Sequence, residues 1–197
     1  MHIEYDMEKR KLFVLWAHAS TCFDNCIRAC QEIERLCSSE NSQLFKALSH
    51  YAIIEYAKPF KWNRGIGKLP DEAKPKSSLK RHEHTVDIRD KIFAHIDCDY
   101  VDSDEVFNPV RIEVLSNRVD YLVADTRISM TDTASLRELA EEMFKKSRYH
   151  ASRHVADLSG KGRRLSRGVY KVNLTSEADS ALTRIMNSQD SEIEWIE

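Results

Sequence analysis

A heptad-like row of apolar and small side chains near the start of the chain constrains the fold more than any other feature. Its members follow one another in steps of four and three residues: Leu12, Trp16, Ala19, Phe23, Cys26, Cys30, Ile33 and Cys37. Side chains at these spacings share one face of an α-helix, and a repeat of this length is typical of a helix that packs along a neighbour. We therefore predict a first helix of about 30 residues within a helical bundle.

The low content of turn-forming residues favours the same fold class. The chain has 197 residues with only 5 glycines and 4 prolines, which favours a few long helices over many short strands. This length is typical of a single domain, residues 1–197, and 42% hydrophobic residues suffice for a core. We expect a mainly α bundle of four to five helices with a small β-hairpin insertion.

Capping residues and apolar spacings outline the later helices. Asn41 or Ser42 caps a second helix that ends near Pro59, and a third helix begins near Ser77 or Ser78. The residues expected to face the core are Leu44, Leu48, Tyr51 and Ile54 on the second helix, and Leu79, Val86, Ile92, Phe93 and Ile96 on the third. A fourth helix opens at Thr133 or Ser135, runs to about Leu158 and carries Leu136, Leu139, Met143, Phe144, Ser147, Ala151 and Val155 on its apolar face.

Two regions outside these helices show a strand pattern. Residues 110–114 and 119–123 alternate apolar and polar side chains, which predicts a hairpin within an insertion spanning 98–130. In the C-terminal region, residues 159–197, we expect a basic loop at 160–168, a short strand at 169–174 and a capped terminal helix from about Ser176.

Arg89 and His95 are the residues that point most directly to chemistry. An arginine supplies a permanent, fork-shaped positive charge suited to phosphate, and a histidine exchanges a proton near neutral pH. Cleavage of RNA beside a 2′-hydroxyl needs this charge, a base and an acid, so His95 is a candidate base or acid and Asp90 a candidate orienting residue. In a straight helix the two residues lie about 120° and about 9 Å apart, which favours a site between helices. The structural alternative is that Arg89 forms a salt bridge with Asp87 or Glu83 and that His95 only stabilises a helix end.

The same residues resemble the HEPN superfamily, in which an Arg, a polar residue and, after several residues, a His form the signature. The segment 93–97 is similar to the helix end of abortive-infection HEPN-like proteins, and 54–60 is similar to the helix before it. The resemblance extends over roughly half of the chain. It implies a HEPN-like helical domain, a homodimer with a composite cleft and a metal-independent endoribonuclease that acts in phage defence, a toxin–antitoxin pair or a stress response. Asp97 stands where some toxin relatives carry a Tyr.

A basic stretch at 145–168 is the second candidate RNA-binding surface. The residues expected to contact RNA are Lys91, Lys145, Lys146, Arg148, Arg163 and Arg164. The alternative is a solvated helix face followed by a loop whose charge the acidic C-terminal segment neutralises. The net charge of the chain does not distinguish between these two interpretations, because 30 basic and 32 acidic residues nearly cancel.

Two other groups of residues, a histidine–cysteine row and a histidine pair, are better explained without a functional site. His18, Cys22, Cys26 and Cys30 follow at four-residue spacing, but such steps spread four ligands over about 18 Å, so reduced core thiols explain the row better than a metal site does. His82 and His84 are expected to be solvated. We expect no metal and no cofactor.

The expected partners are an RNA substrate, a second copy of the chain and an antitoxin. Since no segment is long and apolar enough for a membrane, the expected location is cytoplasmic. The alternative function is a non-catalytic helical dimer that binds RNA, nucleotide or a protein partner.

Overall fold

Four helices and three strand pairs make up the described part of this computed structural model. It describes residues 2–40, 42–76, 78–90, 101–102, 105–106, 110–114, 119–123, 128–158, 168–174 and 182–187. The helices are α1 His2–Leu36, α2 Gln43–Ala57, α3 Leu79–Ile88 and α4 Met130–Leu158, with 3₁₀ turns at Lys58–Phe60 and Asp71–Ala73. The strands are β1 Val101–Asp102, β2 Glu105–Val106, β3 Val110–Val114, β4 Val119–Val123, β5 Gly168–Val172 and β6 Leu182–Asn187. The mainly helical bundle that the sequence predicts is confirmed.

The first helix is the central element of the bundle. It runs for 35 residues and packs against α4 and α2. Its buried apolar side chains are Leu15, Trp16, Ala19, Cys22, Phe23, Cys26, Ala29, Cys30 and Ile33. The heptad-like row is therefore confirmed over most of its length, but Leu12 at its start is 37% exposed and Cys37 at its end is only partly buried.

The second helix has the predicted start but buries a different face. Ser42 caps it, since its Oγ accepts the Phe45 N–H at 3.0 Å. The predicted face is wrong, because Leu44 and Tyr51 are 47% and 45% exposed. The side chains that pack inward are Phe45, Ser49, Ala52, Ile53, Glu55, Tyr56 and Ala57. Small side chains such as Ser49 and Ala52 let this face approach its neighbours closely, while the large ones fill the core on either side.

The third helix is short and its inward face differs from the predicted one. His82, Thr85 and Ile88 are buried, at spacings of three residues, whereas Leu79 in the first turn is 42% exposed. Val86 is partly buried against the core, as predicted. The predicted core positions Ile92, Phe93 and Ile96 lie outside the described residues.

The fourth helix begins three residues before the first predicted cap. Asp132 Oδ2 accepts the Ser129 N–H, and Ser129 Oγ accepts the Asp132 N–H, both at 3.0 Å. This reciprocal pair satisfies two amide groups at the helix start, so that Ser129 takes the capping role predicted for Thr133 or Ser135. The predicted end at Leu158 is confirmed.

The strand pairs confirm one prediction and correct another. Strands β3 and β4 form the predicted antiparallel hairpin, with Ile112 opposite Tyr121. The predicted terminal helix from Ser176 is wrong over 182–187, because these residues form β6 and pair with β5. A lone β5 leaves its backbone groups unpaired, and the β-branched Thr183 and Ile185 suit a partner strand.

Candidate functional site

Asp90 joins two cations where α3 ends. Arg89 continues the helical backbone (φ −56°, ψ −46°), and its Nη1 donates to Asp90 Oδ1 at 2.9 Å. The other carboxylate oxygen, Oδ2, forms an ion pair with Lys61 Nζ. Because Lys61 precedes Asp90 by 29 residues, the loop after α2 and the end of α3 meet at this carboxylate. We call Lys61, Arg89 and Asp90 the bridged cation cluster.

The bridged cation cluster is partly open to solvent and carries net positive charge. The side chains of Lys61, Arg89 and Asp90 are 32%, 29% and 33% exposed. Burial opposes ionisation of the Asp90 carboxyl, but the hydrogen bonds and charges of Lys61 and Arg89 outweigh it and lower its pKa. Asp90 is therefore ionised at neutral pH and compensates one of the two cations. An arginine has five N–H donors, so Arg89 keeps several for an anion such as a phosphate.

A buried aromatic group supports the same helix on its inner side. His82 is 1% exposed, its Nδ1 is hydrogen-bonded to Tyr56 Oη at 2.9 Å, and its ring meets Phe60 edge-on at a centroid distance of 4.4 Å. We call Tyr56, Phe60 and His82 the buried aromatic cluster. The expectation that His82 is solvated is wrong, because the helical turn that points Thr85 and Ile88 inward also buries His82, whereas His84 is exposed.

Burial also determines the charge state of this cluster. It lowers the pKa of His82 to about 4, and the nearby Lys74 and Lys61 charges act in the same direction. It raises the pKa of the Tyr56 hydroxyl. Both side chains are therefore neutral at pH 7, and His82 positions α3 without exchanging protons with a ligand.

The loop that carries Lys61 is held by one amide side chain. Asn63 Nδ2 donates to the carbonyls of Lys58, Lys61 and Gly67 at 3.2, 2.8 and 3.2 Å. The backbones of Asn63 and Gly67 exchange two hydrogen bonds of 2.9 and 2.8 Å. Gly67 has φ +85°, a left-handed conformation that favours glycine. Sequence reasoning identified a loop here but missed Lys61, although Asn63 and the nearby glycines were a readable turn signal.

The described part of the basic stretch shows mixed roles. Lys145 is exposed, whereas Lys146 Nζ donates to the carbonyls of Glu72 and Ala73 at 3.2 and 2.8 Å. The Arg148 guanidinium lies 5.7 Å from the centre of the Phe144 ring. Lys146 therefore anchors the 3₁₀ turn at 71–73, and Lys145 and Arg148 are the more available cations. The other predicted site residues, Lys91, His95, Arg163 and Arg164, lie outside the described residues.

The cysteine row belongs to the core. Cys22, Cys26 and Cys30 are buried free thiols, and His18 Nε2 lies 3.6 Å from Cys22 Sγ. Burial and the Glu55 carboxylate raise the pKa of the Cys22 thiol to about 12, so it is not a thiolate nucleophile at neutral pH. Among the described residues, no group of three or more His, Cys, Asp or Glu is placed to hold a metal ion.

Of the helices that the structure describes, none combines the length and apolar character needed to span a membrane. We also compared the chain with protein-family models, with curated proteins and with solved structures, and none of the three comparisons found a match.

Proposed function

We propose that this chain is a metal-independent endoribonuclease of HEPN type. The observation that supports it most is the bridged cation cluster, in which Arg89 and Lys61 lie on either side of one carboxylate at a partly exposed helix end. Two adjacent cations suit a phosphodiester, whose two free oxygens share one negative charge. In this proposal Asp90 orients the Arg89 guanidinium, with which it pairs; orienting a histidine of a second copy is the other role that the sequence suggests for it.

The proposed reaction proceeds through the neighbouring hydroxyl of the RNA. A base removes the proton from the 2′-hydroxyl, the O2′–P bond forms, the P–O5′ bond breaks, and an acid gives a proton to the leaving 5′-oxygen. Arg89 stabilises the extra negative charge on the phosphoryl oxygens, and His95 serves as base or acid. The products are a 2′,3′-cyclic phosphate and a 5′-hydroxyl.

The proposal includes a second copy of the chain. A straight helix from Arg89 to His95 would place the two side chains about 120° apart. One copy would then leave a phosphate partly open, whereas two copies related by a twofold axis would enclose it. The homodimer, an antitoxin partner and a role in phage defence or stress rest on the HEPN resemblance.

The test is RNA cleavage by the purified chain, with product analysis and light scattering. We expect fragments ending in 2′,3′-cyclic phosphate, full activity in EDTA, loss of activity in His95→Ala and a dimer at micromolar concentration. Activity that EDTA abolishes and magnesium restores would refute the mechanism.

The second candidate is a non-catalytic helical dimer that binds RNA, nucleotide or a protein partner. It would use the same two cations, because holding an anion needs their charge but no proton transfer. Tight RNA binding by the wild-type chain without any cleavage product would select this candidate.

A further inference from the structure

Trp62 is an exposed aromatic side chain with no place in the core. It is 78% exposed, the largest fraction among the bulky apolar side chains that the structure describes. Trp16, by contrast, is buried and stacks on His150 at a centroid distance of 4.2 Å. A single exposed apolar side chain is common on protein surfaces, so the exposure of Trp62 matters only together with the loop that carries it and the charges around it.

The backbone on either side of Trp62 is fixed. Trp62 lies between Lys61 and Asn63, and the carbonyl of the first accepts a hydrogen bond from the side chain of the second at 2.8 Å. The loop closes further along, where the Leu69 N–H donates to the Pro59 carbonyl at 2.8 Å and Leu69 is buried. The indole itself lies beside Gly67, since a Cβ at that position would meet its Cζ3 at 3.9 Å. The ring is thus presented on an ordered loop, which reduces the entropy lost when a flat ligand binds.

The charge around Trp62 is positive. The sequence from Lys58 to Pro70 contains four cations, Lys58, Lys61, Arg64 and Lys68, and no acidic residue. Lys58 is paired with the buried Glu55, and Lys61 with Asp90. Arg64 and Lys68 are exposed, and the charge of Lys68 also acts on Asp71, whose carboxylate forms an ion pair with Lys74. An anion near the indole therefore meets Arg64, Lys68 and the uncompensated charge of the bridged cation cluster.

From this arrangement we infer that Trp62 is a stacking platform for an unpaired base of single-stranded RNA, whose backbone runs over Arg64 and Lys68 towards Arg89. The inference rests on the proposed function and adds to it a base-contacting residue outside the cleavage site. Lys61 links Trp62 to the bridged cation cluster, because its side chain forms an ion pair with Asp90 and Trp62 is the next residue in the chain. A flat, exposed indole next to cations matches a polyanion with exposed bases, and the bases of a duplex are already stacked and paired.

The experiment measures binding without cleavage. The probe is a ten-nucleotide oligouridine with 2′-O-methyl groups, which removes the attacking hydroxyl, titrated into the wild-type chain, Trp62→Phe, Trp62→Leu and Trp62→Ala. We expect tryptophan fluorescence to be quenched in the wild type but not in Trp62→Phe, which keeps Trp16 and Trp195. Binding followed by anisotropy of a labelled probe should weaken roughly 5- to 150-fold in Trp62→Ala and Trp62→Leu and much less in Trp62→Phe.

Three results would overturn the inference: unchanged affinity in Trp62→Ala, equal losses in the Phe and Leu variants, or equal affinity of the wild type for a duplex of the same length. Unchanged affinity in Trp62→Ala would indicate that the exposed indole contacts a protein partner and not RNA. Circular dichroism of each variant controls for folding. The cleavage assay is read separately, so a wild-type chain that binds the probe through Trp62 but cuts no RNA supports this inference while refuting the nuclease.

Discussion

The buried aromatic cluster and the bridged cation cluster belong to the same short region, yet burial gives them opposite chemistry. His82 and Arg89 are seven residues apart, so they lie close to the same face of a helix, two turns from each other. His82 is enclosed by Tyr56 and Phe60 and remains neutral, whereas Arg89 meets solvent and a carboxylate and remains charged. The buried aromatic cluster therefore holds α3 in place, and the bridged cation cluster is available to a ligand.

The largest effect that separates the two clusters is on stability. Replacing Tyr56 with Ala removes a side chain that is 0% exposed and leaves His82 Nδ1 without its partner. We expect a loss of about 3–5 kcal/mol in the free energy of unfolding. Arg89→Ala, the matched variant in the other cluster, should cost less than about 1 kcal/mol. Urea denaturation followed by circular dichroism measures both, and similar losses would remove the distinction between the clusters.

Arg89→Ala should instead impair function. If Arg89 stabilises charge on the phosphoryl oxygens, its removal should lower the rate of RNA cleavage about 10²- to 10³-fold, the range typical of one lost oxyanion donor. Single-turnover cleavage of a labelled RNA measures the rate, and the control is Arg28→Ala, which removes an exposed arginine that pairs with Asp24 on α1. Cleavage by Arg89→Ala at the wild-type rate would show that Arg89 does not take part in the reaction.

The free energy of unfolding should decrease as the pH is lowered, in a pH range set by His82. Its pKa is lowered from 6.5 to about 4, so between these values the unfolded chain binds more protons than the folded one. Neutral His82 therefore contributes fully to the free energy of unfolding above pH 6.5. This contribution, up to about 3 kcal/mol, is lost as the pH falls towards 4. His150, whose pKa burial also lowers, acts in the same direction. Urea denaturation of the wild type and of His82→Gln at several pH values shows how much of the pH-dependent change in the free energy of unfolding is due to His82. Parallel stability curves for the two proteins would contradict the assignment.

The smallest expected effect is that of Asp90→Asn on RNA affinity. The substitution removes one negative charge between two cations, so single-stranded RNA should bind a few-fold more tightly at low salt, by about 1 kcal/mol. The salt dependence of the binding constant should steepen, while cleavage should fall because Arg89 loses its orienting partner. Fluorescence anisotropy over a range of salt concentrations measures the first two effects. Weaker binding in Asp90→Asn would mean that the carboxylate itself contacts the ligand.

The helices were predictable from the sequence where one side chain pattern dominates. The row through Phe23 and Cys30 has no competing apolar face, so the first helix and most of its packing surface were predicted correctly. On α2, apolar residues occur on two faces, and only the packing against its neighbours decides that Phe45 faces inward and Tyr51 outward. No local pattern encodes that choice.

The candidate site was predictable only in its local part. Arg89 and Asp90 are neighbours in sequence, and their pairing follows from proximity. Lys61 joins them over 29 residues, a contact that depends on how the loop after α2 folds back onto α3. The burial of His82 likewise depends on where Tyr56 and Phe60 are brought by that fold.

The three hydrogen bonds of the Asn63 amide have a consequence for changing what the loop recognises. Because one side chain and two left-handed glycines, Gly65 and Gly67, define the backbone, the shape of the loop does not depend on the exposed residues Trp62, Arg64 and Lys68. Those three positions can be randomised together, as in a display library, while Asn63 and both glycines are kept. Selection on such a library would alter ligand preference without re-optimising the scaffold.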